Sequence, residues 1–245
     1  FDGIDITDTD PSDENRYYRG FYINASDNIS IVNCNISDFN KYGIHSRYES
    51  ANITLDHNEI FHSPDYTTSE SSVYGIYTAY NSEADNITVT SNKVYGLKYA
   101  TSTVYGIRVG QVNSMVANNF IAITADGNDK IYGLRMDGRE DKTLEVYYNT
   151  VYLSGTSTDD GFAFTTMGGA TSTNFIVKNN IFINNRSSDD NEQLAAYISF
   201  DAPVFDMDYN IYYCENETNH FLARWCDTDA SDIETWYELI SQDSL

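Results

Sequence analysis

The sequence predicts an all-β solenoid in which each repeat forms one coil. Two observations carry this prediction: one short phrase returns seven times along the chain, and a second phrase, Gly followed by an apolar residue, returns between its copies. Repeats of roughly 20 to 50 residues are typical of stacked coils, because each unit can bury its apolar face only against its neighbours. The 245 residues therefore need no division into separate globular domains.

The first phrase is an apolar-alternating strand that runs into Asn, then one residue, then another apolar residue. Alternation with period two predicts a strand with one face inward. Asn tolerates left-handed backbone at a tight turn, and an inward amide is acceptable when a stacked amide pairs it. We therefore expect an Asn ladder flanked by apolar columns. The copies are 29–36, 53–60, 87–94, 114–121, 144–151, 175–182 and 205–212, and the shared position holds Cys34, Asn58, Asn92, Asn119, Asn149, Asn180 and Asn210.

The second phrase marks another strand in each coil, and Tyr precedes four of its copies. We expect these tyrosines to stack as an outer aromatic ladder that stabilises the fold. The copies are Gly20-Phe21, Gly43-Ile44, Gly75-Ile76, Gly106-Ile107, Gly133-Leu134 and Gly161-Phe162, with Ala196-Tyr197 as a looser seventh.

The last segment of the chain lacks the repeat pattern, and we predict that it forms a cap on the solenoid. Ile233, Trp236, Tyr237 and Ile240 have helical spacing, and the open end of a solenoid core must be covered. We divide the chain into a β-helix over residues 1–213 and a capping segment over 214–245. Cys214 and Cys226 in that segment leave open a disulfide or two free thiols.

The Asn phrases, the Tyr-Gly-Ile strands and the irregular coil lengths resemble the right-handed parallel β-helix repeats of the pectate-lyase-like superfold, over about residues 1 to 213. The resemblance implies a right-handed parallel β-helix of about seven coils. The tail, from Asp208 to Ser244, resembles the end of such arrays in large secreted microbial surface proteins. Membership of this family implies a function on extracellular carbohydrate, either cleavage by a lyase or hydrolase or an adhesive or structural role without catalysis. The sequence holds no intact lyase or pectin-hydrolase signature.

The net charge and the hydropathy of the chain limit the classes of partner that it can bind. The net charge of −23, from 37 acidic and 14 basic residues, opposes nucleic acid and anionic membranes as partners. No run of about 18 apolar residues occurs, so we expect no membrane insertion. A basic and then apolar N-terminal signal is also absent, and the chain starts within a predicted strand. We expect a mature protein or an excised piece of a longer chain.

Candidate chemistry lies on the outward face of the Gly strands, where residues of equal phase stack into a rigid column. Two places after each Gly stand Tyr22, His45, Tyr77, Arg108, Arg135 and Ala163, and two places further stand Asn24, Arg47, Ala79, Gly110, Asp137 and Thr165.

This face has two interpretations. As a groove for an acidic sugar, Arg47, Arg108 and Arg135 hold carboxylates or sulfates, and Tyr22 and Tyr77 stack on sugar rings. Alternatively, acids such as Asp137 neutralise the arginines and the face is merely solvated. The catalytic candidates are His45, Arg108, Arg135 and Asp137, with His45 as a base for β-elimination or Asp137 paired with Asp159 or Asp160 for hydrolysis. The substrate-binding candidates are Tyr22, Arg47 and Tyr77.

The leading functional hypothesis is a secreted or cell-surface module that interacts with a polysaccharide or glycan without catalysis. The rival is a polysaccharide lyase or glycoside hydrolase acting on an acidic polysaccharide. A module requires no cofactor. Calcium is the candidate ion, because Asp8, Asp10 and Asp13 offer the hard oxygen ligands that it prefers, and a solvated turn is the alternative there.

Overall fold

The computed structural model describes residues 1–7, 18–48, 50–66, 68, 70–78, 86–97, 103–110, 113–124, 130–156, 158–168, 173–188, 191–200, 204–215 and 220–240. Within them the chain forms three sheets and one short helix. We name the sheets after their marker residues: the glycine sheet, the asparagine sheet and the third sheet.

The strands of each sheet come from successive coils. The glycine sheet contains β2 (Arg19–Asn24), β5 (Tyr42–Arg47), β8 (Ser72–Thr78), β11 (Thr103–Gly110), β14 (Lys130–Asp137), β17 (Gly161–Met167), β20 (Gln193–Ile198), β23 (His220–Trp225) and β24 (Thr228–Ala230). The asparagine sheet contains β3 (Ser30–Val32), β6 (Ile53–Asp56), β9 (Ile87–Thr90), β12 (Ser114–Ala117), β15 (Thr143–Tyr147), β18 (Asn174–Lys178) and β21 (Val204–Asp208). The third sheet contains β1 (Asp5–Thr7), β4 (Asn35–Ser37), β7 (Glu59–Phe61), β10 (Lys93–Tyr95), β13 (Phe120–Thr124), β16 (Thr150–Thr156), β19 (Ile181–Ser187) and β22 (Ile211–Cys214).

The chain visits the three sheets in a fixed order, and each strand pairs in parallel with the strand one coil away. The exception is β24, which folds back antiparallel on β23. The seven rungs of the asparagine sheet are joined by six complete turns. The predicted all-β parallel solenoid is therefore confirmed.

Two predicted apolar columns form the core. Strand pairing places their members one above another, and the first column is fully buried throughout. Because each side chain packs on its equivalent in the next coil, the core is continuous along the whole solenoid. The columns are Ile31, Leu55, Val89, Val116, Val146, Val177 and Met207, and Ile36, Ile60, Val94, Ile121, Val151, Phe182 and Tyr212.

The Asn ladder forms as predicted, with six buried amides in a row. At each step the Nδ2 group donates to the Oδ1 atom of the next Asn, for example 3.0 Å from Asn92 to Asn119 and 2.9 Å from Asn119 to Asn149. The same Oδ1 atom accepts a backbone N–H of the preceding coil. Every amide is thus paired inside the core, which removes the cost of burying it.

The backbone at the ladder differs from the expectation. The left-handed conformation falls on the residue before each ladder position, with φ between 53° and 59°, and not on the ladder Asn itself. The ladder geometry therefore imposes a left-handed turn on residue types such as Tyr and Ser, which rarely adopt it. These residues are Asn33, His57, Ser91, Asn118, Tyr148, Asn179 and Tyr209.

The repeated glycines allow a close contact between the glycine sheet and the third sheet. A Cβ atom on Gly106 would lie 2.6 Å from Ile121 Cγ2 and 2.5 Å from the carbonyl oxygen of Gly133, so no larger residue fits without a shift. Similar close contacts occur at Gly20, Gly43, Gly75 and Gly133, each against the β-branched side chain of its own coil.

One part of the predicted register is wrong. Strand pairing aligns Tyr132 with Phe162 and Leu134 with Phe164, so Ala163, and not Gly161, takes the glycine position. Ala195 takes it in the next coil, since Phe164 pairs with Ala196. In these two coils the third-sheet residue is aromatic, Phe182 or Tyr212, and we infer that the missing β-branch leaves room for a Cβ atom.

The C-terminal segment closes the core with helix α1 (Ile233–Ile240). Trp236 and Ile240 are buried, and Ile233 and Tyr237 pack against the same cluster. Asp232 caps the helix by accepting the backbone N–H of Thr235 at 2.8 Å. The helical cap is confirmed. The division at residue 213 stays a prediction, since β22 spans this boundary and β23 beyond it also pairs with a solenoid sheet.

No disulfide joins Cys214 and Cys226, which are half-buried, and Cys34 is buried. No helix in the described part of the chain has the length and apolar character needed to span a membrane.

Candidate functional site

The predicted outward face of the Gly strands is a continuous column of side chains, which we call the outer column. Strand pairing stacks its members directly from coil to coil, and it corrects one of them, because Thr165 and not Ala163 follows Arg135. Met167 accordingly pairs with Asp137 in the neighbouring column. The outer column is Tyr22, His45, Tyr77, Arg108, Arg135, Thr165, Tyr197 and Arg224.

The predicted aromatic ladder lies beside the outer column. Its rings stack one on the next. The centroid distances are 5.0 Å between Tyr42 and Tyr74, 4.4 Å between Tyr74 and Tyr105, and 4.9 Å between Tyr105 and Tyr132. Phe162 extends the stack in place of a Tyr, 5.4 Å from Tyr132. Burial, with the nearby Tyr18 and Tyr77 hydroxyls, raises the pKa of Tyr42 to about 12. These rings are scaffold that supports the outer column.

Arg108 and Arg135 share a single carboxylate. Asp137 Oδ2 accepts from Arg108 Nε at 2.8 Å and contacts Arg108 Nη2 at 2.6 Å, while Asp137 Oδ1 contacts Arg135 Nε at 2.7 Å. Burial would lower the pKa of Arg108, but the Asp137 carboxylate outweighs it and the pKa is raised. Two guanidinium groups and one carboxylate leave one net positive charge at this cluster.

Two of the three carboxylates proposed for hydrolysis, Asp137 and Asp160, contact cations. Asp137 holds two arginines, and Asp160 Oδ2 lies 2.7 Å from Lys130 Nζ. The carboxylate oxygens in these contacts are directed at basic side chains of the chain itself. The roles assigned to Asp137, Asp159 and Asp160 stay predictions.

His45 is buried, with only 3% of its surface exposed. Its ring stacks on Tyr42 at 4.2 Å and on Tyr77 at 5.2 Å. Arg19 Nε donates to His45 Nδ1 at 2.9 Å. Burial, together with the charges of Arg19 and two other basic groups, Arg47 and Lys41, lowers the pKa of His45 to about 4. The imidazole is therefore neutral at pH 7, with the proton on Nε2, and is a weak base.

The depressed pKa of His45 makes folding stability depend on pH. The unfolded chain binds a proton near the ordinary value of 6.5 and the folded chain only near 4, so stability falls as pH drops through that window and is unaffected above it. We expect a slope of up to about 1.4 kcal/mol per pH unit from this group. Denaturant unfolding between pH 4 and 7 should show a shallower slope for His45→Phe than for the natural chain, and equal slopes would contradict the assignment.

Sequence reasoning missed Arg19. It takes the place of the Tyr in the Tyr-Gly-Ile phrase, because Arg19 pairs with Tyr42. Its guanidinium stacks 4.7 Å from the Tyr18 centroid and 4.3 Å from the Tyr22 centroid. The break in the Tyr phrase at Arg19-Gly20 was the available signal for this residue.

The structure brings the predicted residues together as two neighbouring clusters. His45, Tyr22 and Arg47 lie at the first two coils, and Arg108, Arg135 and Asp137 lie two coils further on. Tyr77 stands between them, stacked on His45 and 5.0 Å from Arg108 Cζ. His45 and Arg108 are thus separated by two strand spacings, about 9.6 Å.

The calcium candidates Asp8, Asp10 and Asp13 lie outside the described residues, so calcium binding there stays a prediction. Among the residues that are described, no group of three or more His, Cys, Asp or Glu side chains is arranged to hold a metal ion.

Comparison with protein families supplies the remaining information. The sequence profile of the right handed beta helix region matches residues 19–213, most of the chain. Searches of curated proteins and of solved structures gave no significant match. The matched range includes the outer column from Tyr22 to Tyr197. The chain therefore belongs to the right-handed parallel β-helix family.

Proposed function

We propose that the protein is a non-catalytic module that interacts with carbohydrate through the first coils of the glycine sheet, at the cell surface or in the secreted fraction. The observation that carries this proposal is an exposed aromatic side chain beside unpaired cations. Tyr22 is 46% exposed. Arg19, whose guanidinium lies 4.3 Å from the Tyr22 ring centroid, and Arg47, which pairs with Asn24 on the neighbouring strand, have no carboxylate partner within the described residues. Aromatic faces and guanidinium groups are suited to sugar rings and their substituents.

The surroundings of this surface favour binding over catalysis. The Nδ1 atom of His45 is occupied by Arg19, and a pKa of about 4 makes the imidazole a poor base at neutral pH. The outer column is carried by paired strands, so its backbone positions form a fixed row. A polysaccharide is a natural partner for such a row, because its own repeat can follow the column.

Replacing Tyr22 with Ala should weaken carbohydrate binding about fivefold, the equivalent of about 1 kcal/mol for a lost aromatic contact. The measurement is affinity electrophoresis against a panel of neutral and uronate-containing polysaccharides. Tyr148→Ala is the matched control, since Tyr148 is 61% exposed but lies in the turn between the other two sheets.

The same panel tests the catalytic alternative. Ultraviolet absorbance of an unsaturated uronate product, or release of reducing ends, would show a lyase or a hydrolase and would overturn the non-catalytic proposal. Equal binding by Tyr22→Ala and Tyr148→Ala would place the carbohydrate elsewhere on the molecule.

A further inference from the structure

We propose that Arg19, His45 and Arg47 form a subsite for an anionic group of the carbohydrate, a carboxylate or a sulfate ester. This inference rests on the proposed function and adds the chemistry that the surface selects. It also gives His45 a different role, as a neutral hydrogen-bond donor and not as a base.

The first argument is an unpaired donor. Because His45 Nδ1 accepts the Arg19 Nε–H, the proton of the neutral ring resides on Nε2. The Nε2 atom is buried and has no hydrogen-bond partner among the described residues. A buried N–H without an acceptor costs free energy, so an acceptor that reaches this atom gains more than the same contact at a solvated surface.

The second argument is unpaired positive charge. Lys41 is bound to Glu70 at 3.3 Å, but Arg19 and Arg47 have no carboxylate within the described part of the chain. Both guanidinium groups stack on rings, Arg19 on Tyr22 and Arg47 on Tyr48 at 4.4 Å. Stacking uses the flat face of a guanidinium and leaves edge N–H groups for an oxyanion. In a chain of net charge −23, two cations on adjacent strands, Arg19 in β2 and Arg47 in β5, that lack a carboxylate among the described residues are a marked local exception.

The third argument is the second cluster on the same column. There the chain places Asp137 between Arg108 and Arg135, so its own carboxylate satisfies both guanidinium groups. At the first two coils, Arg19 and Arg47 are present without such an acid among the residues that the structure describes. We infer that an external anion takes there the role that Asp137 takes internally.

Access requires a local movement. His45 Nε2 is enclosed by its neighbours, and Tyr22 is the most exposed of the rings around it, 5.3 Å from the imidazole centroid. A ligand therefore reaches this nitrogen when the Tyr22 ring turns aside, and the ring can then cover the sugar.

The test uses three probes that differ in a single group. A glucuronate-containing disaccharide, its carboxyl-reduced counterpart and a sulfated form of the latter are titrated calorimetrically into the full chain. We expect at least tenfold tighter binding of an anionic probe than of the neutral one, and the two anionic probes distinguish a carboxylate from a sulfate.

Variants locate the effect. His45→Phe keeps a ring and removes the donor, His45→Gln keeps an N–H near the place of Nε2, and Arg47→Gln removes an exposed cation. His45→Phe and Arg47→Gln should each bind the anionic probe about tenfold more weakly and the neutral probe with unchanged affinity. His45→Gln should retain most of the affinity for the anionic probe. Lys93→Gln, which removes an exposed cation on the third sheet, is the matched control and should bind as the natural chain does.

The outcomes separate the two proposals. The proposed subsite is wrong, and the carbohydrate function stands, if the neutral and anionic probes bind with equal affinity. The same holds if His45→Phe and Arg47→Gln lose no more affinity for the anionic probe than Lys93→Gln does. If no carbohydrate binds, the function fails, and a titration with acetate and sulfate still tests the subsite through the His45 Nε2–H proton resonance. A downfield shift of that resonance, absent in Arg47→Gln, supports an anion site, and no shift overturns it.

Discussion

Replacing Asn119 with Ala is expected to lower the free energy of unfolding by about 3 to 5 kcal/mol. Asn119 Nδ2 donates to Asn149 Oδ1 and to the carbonyl oxygen of Val89, both at 2.9 Å, and Asn119 Oδ1 accepts from the backbone N–H and the Nδ2 group of Asn92. Removing one amide leaves several buried groups unpaired, each costing about 1 to 3 kcal/mol. Urea denaturation followed by circular dichroism measures the loss.

The neighbouring residue provides the control for this prediction. Asn118 is the same residue type but is exposed, and it adopts the left-handed conformation with φ of 57°. Asn118→Ala should lower the free energy of unfolding by only about 1 kcal/mol, because it removes only the preference of Asn for left-handed backbone. If the two variants were equally stable, the ladder would contribute nothing beyond turn formation.

Replacing Gly106 with Ala is expected to destabilise the fold by about 3 kcal/mol, near the upper end of the usual cost of overpacking. The added methyl group would lie 2.5 Å from the carbonyl oxygen of Gly133 and 2.6 Å from Ile121 Cγ2, and the carbonyl oxygen belongs to a paired strand that cannot move alone. Thermal unfolding should show a clearly lower midpoint.

Two further variants identify the cause of this loss. Gly168→Ala places its methyl group where no atom lies within 4 Å, although φ is +56°, so it should cost only about 1 kcal/mol of backbone strain. Combining Gly106→Ala with Ile121→Leu, which moves the branch away from the β-carbon, should recover part of the stability. A double variant that is less stable than the sum of its parts would refute the proposed contact.

Most of the fold was predictable from the sequence because its interactions repeat. The columns headed by Ile31 and Ile36 and the Asn ladder recur in every coil, so periodic spacing alone identifies which side chains meet. The failure at Gly161 has a physical reason. A Gly followed by Phe fits the phrase, but backbone pairing with Tyr132 assigns the glycine position to Ala163, and a single strand contains no information about its partner.

The candidate site was only partly predictable. Spacing placed His45, Arg108 and Arg135 on one outward column, and the structure confirms that alignment. Spacing could not show that one carboxylate, Asp137, binds both arginines, nor that Arg19 binds the imidazole. These contacts depend on side-chain conformations and on residues that lie one coil apart.

The amino-acid sequence alone determined that this chain stacks its repeats into a solenoid, because every repeat contains an apolar alternation and most contain an Asn and a Gly. Only the tertiary structure decided the chemistry of the surface. The protonation state of His45 and the pairing of each arginine depend on burial and on charges within a few ångströms, which come from other coils. A repeat pattern states where equivalent residues lie, whereas a site arises from the residues that break the pattern.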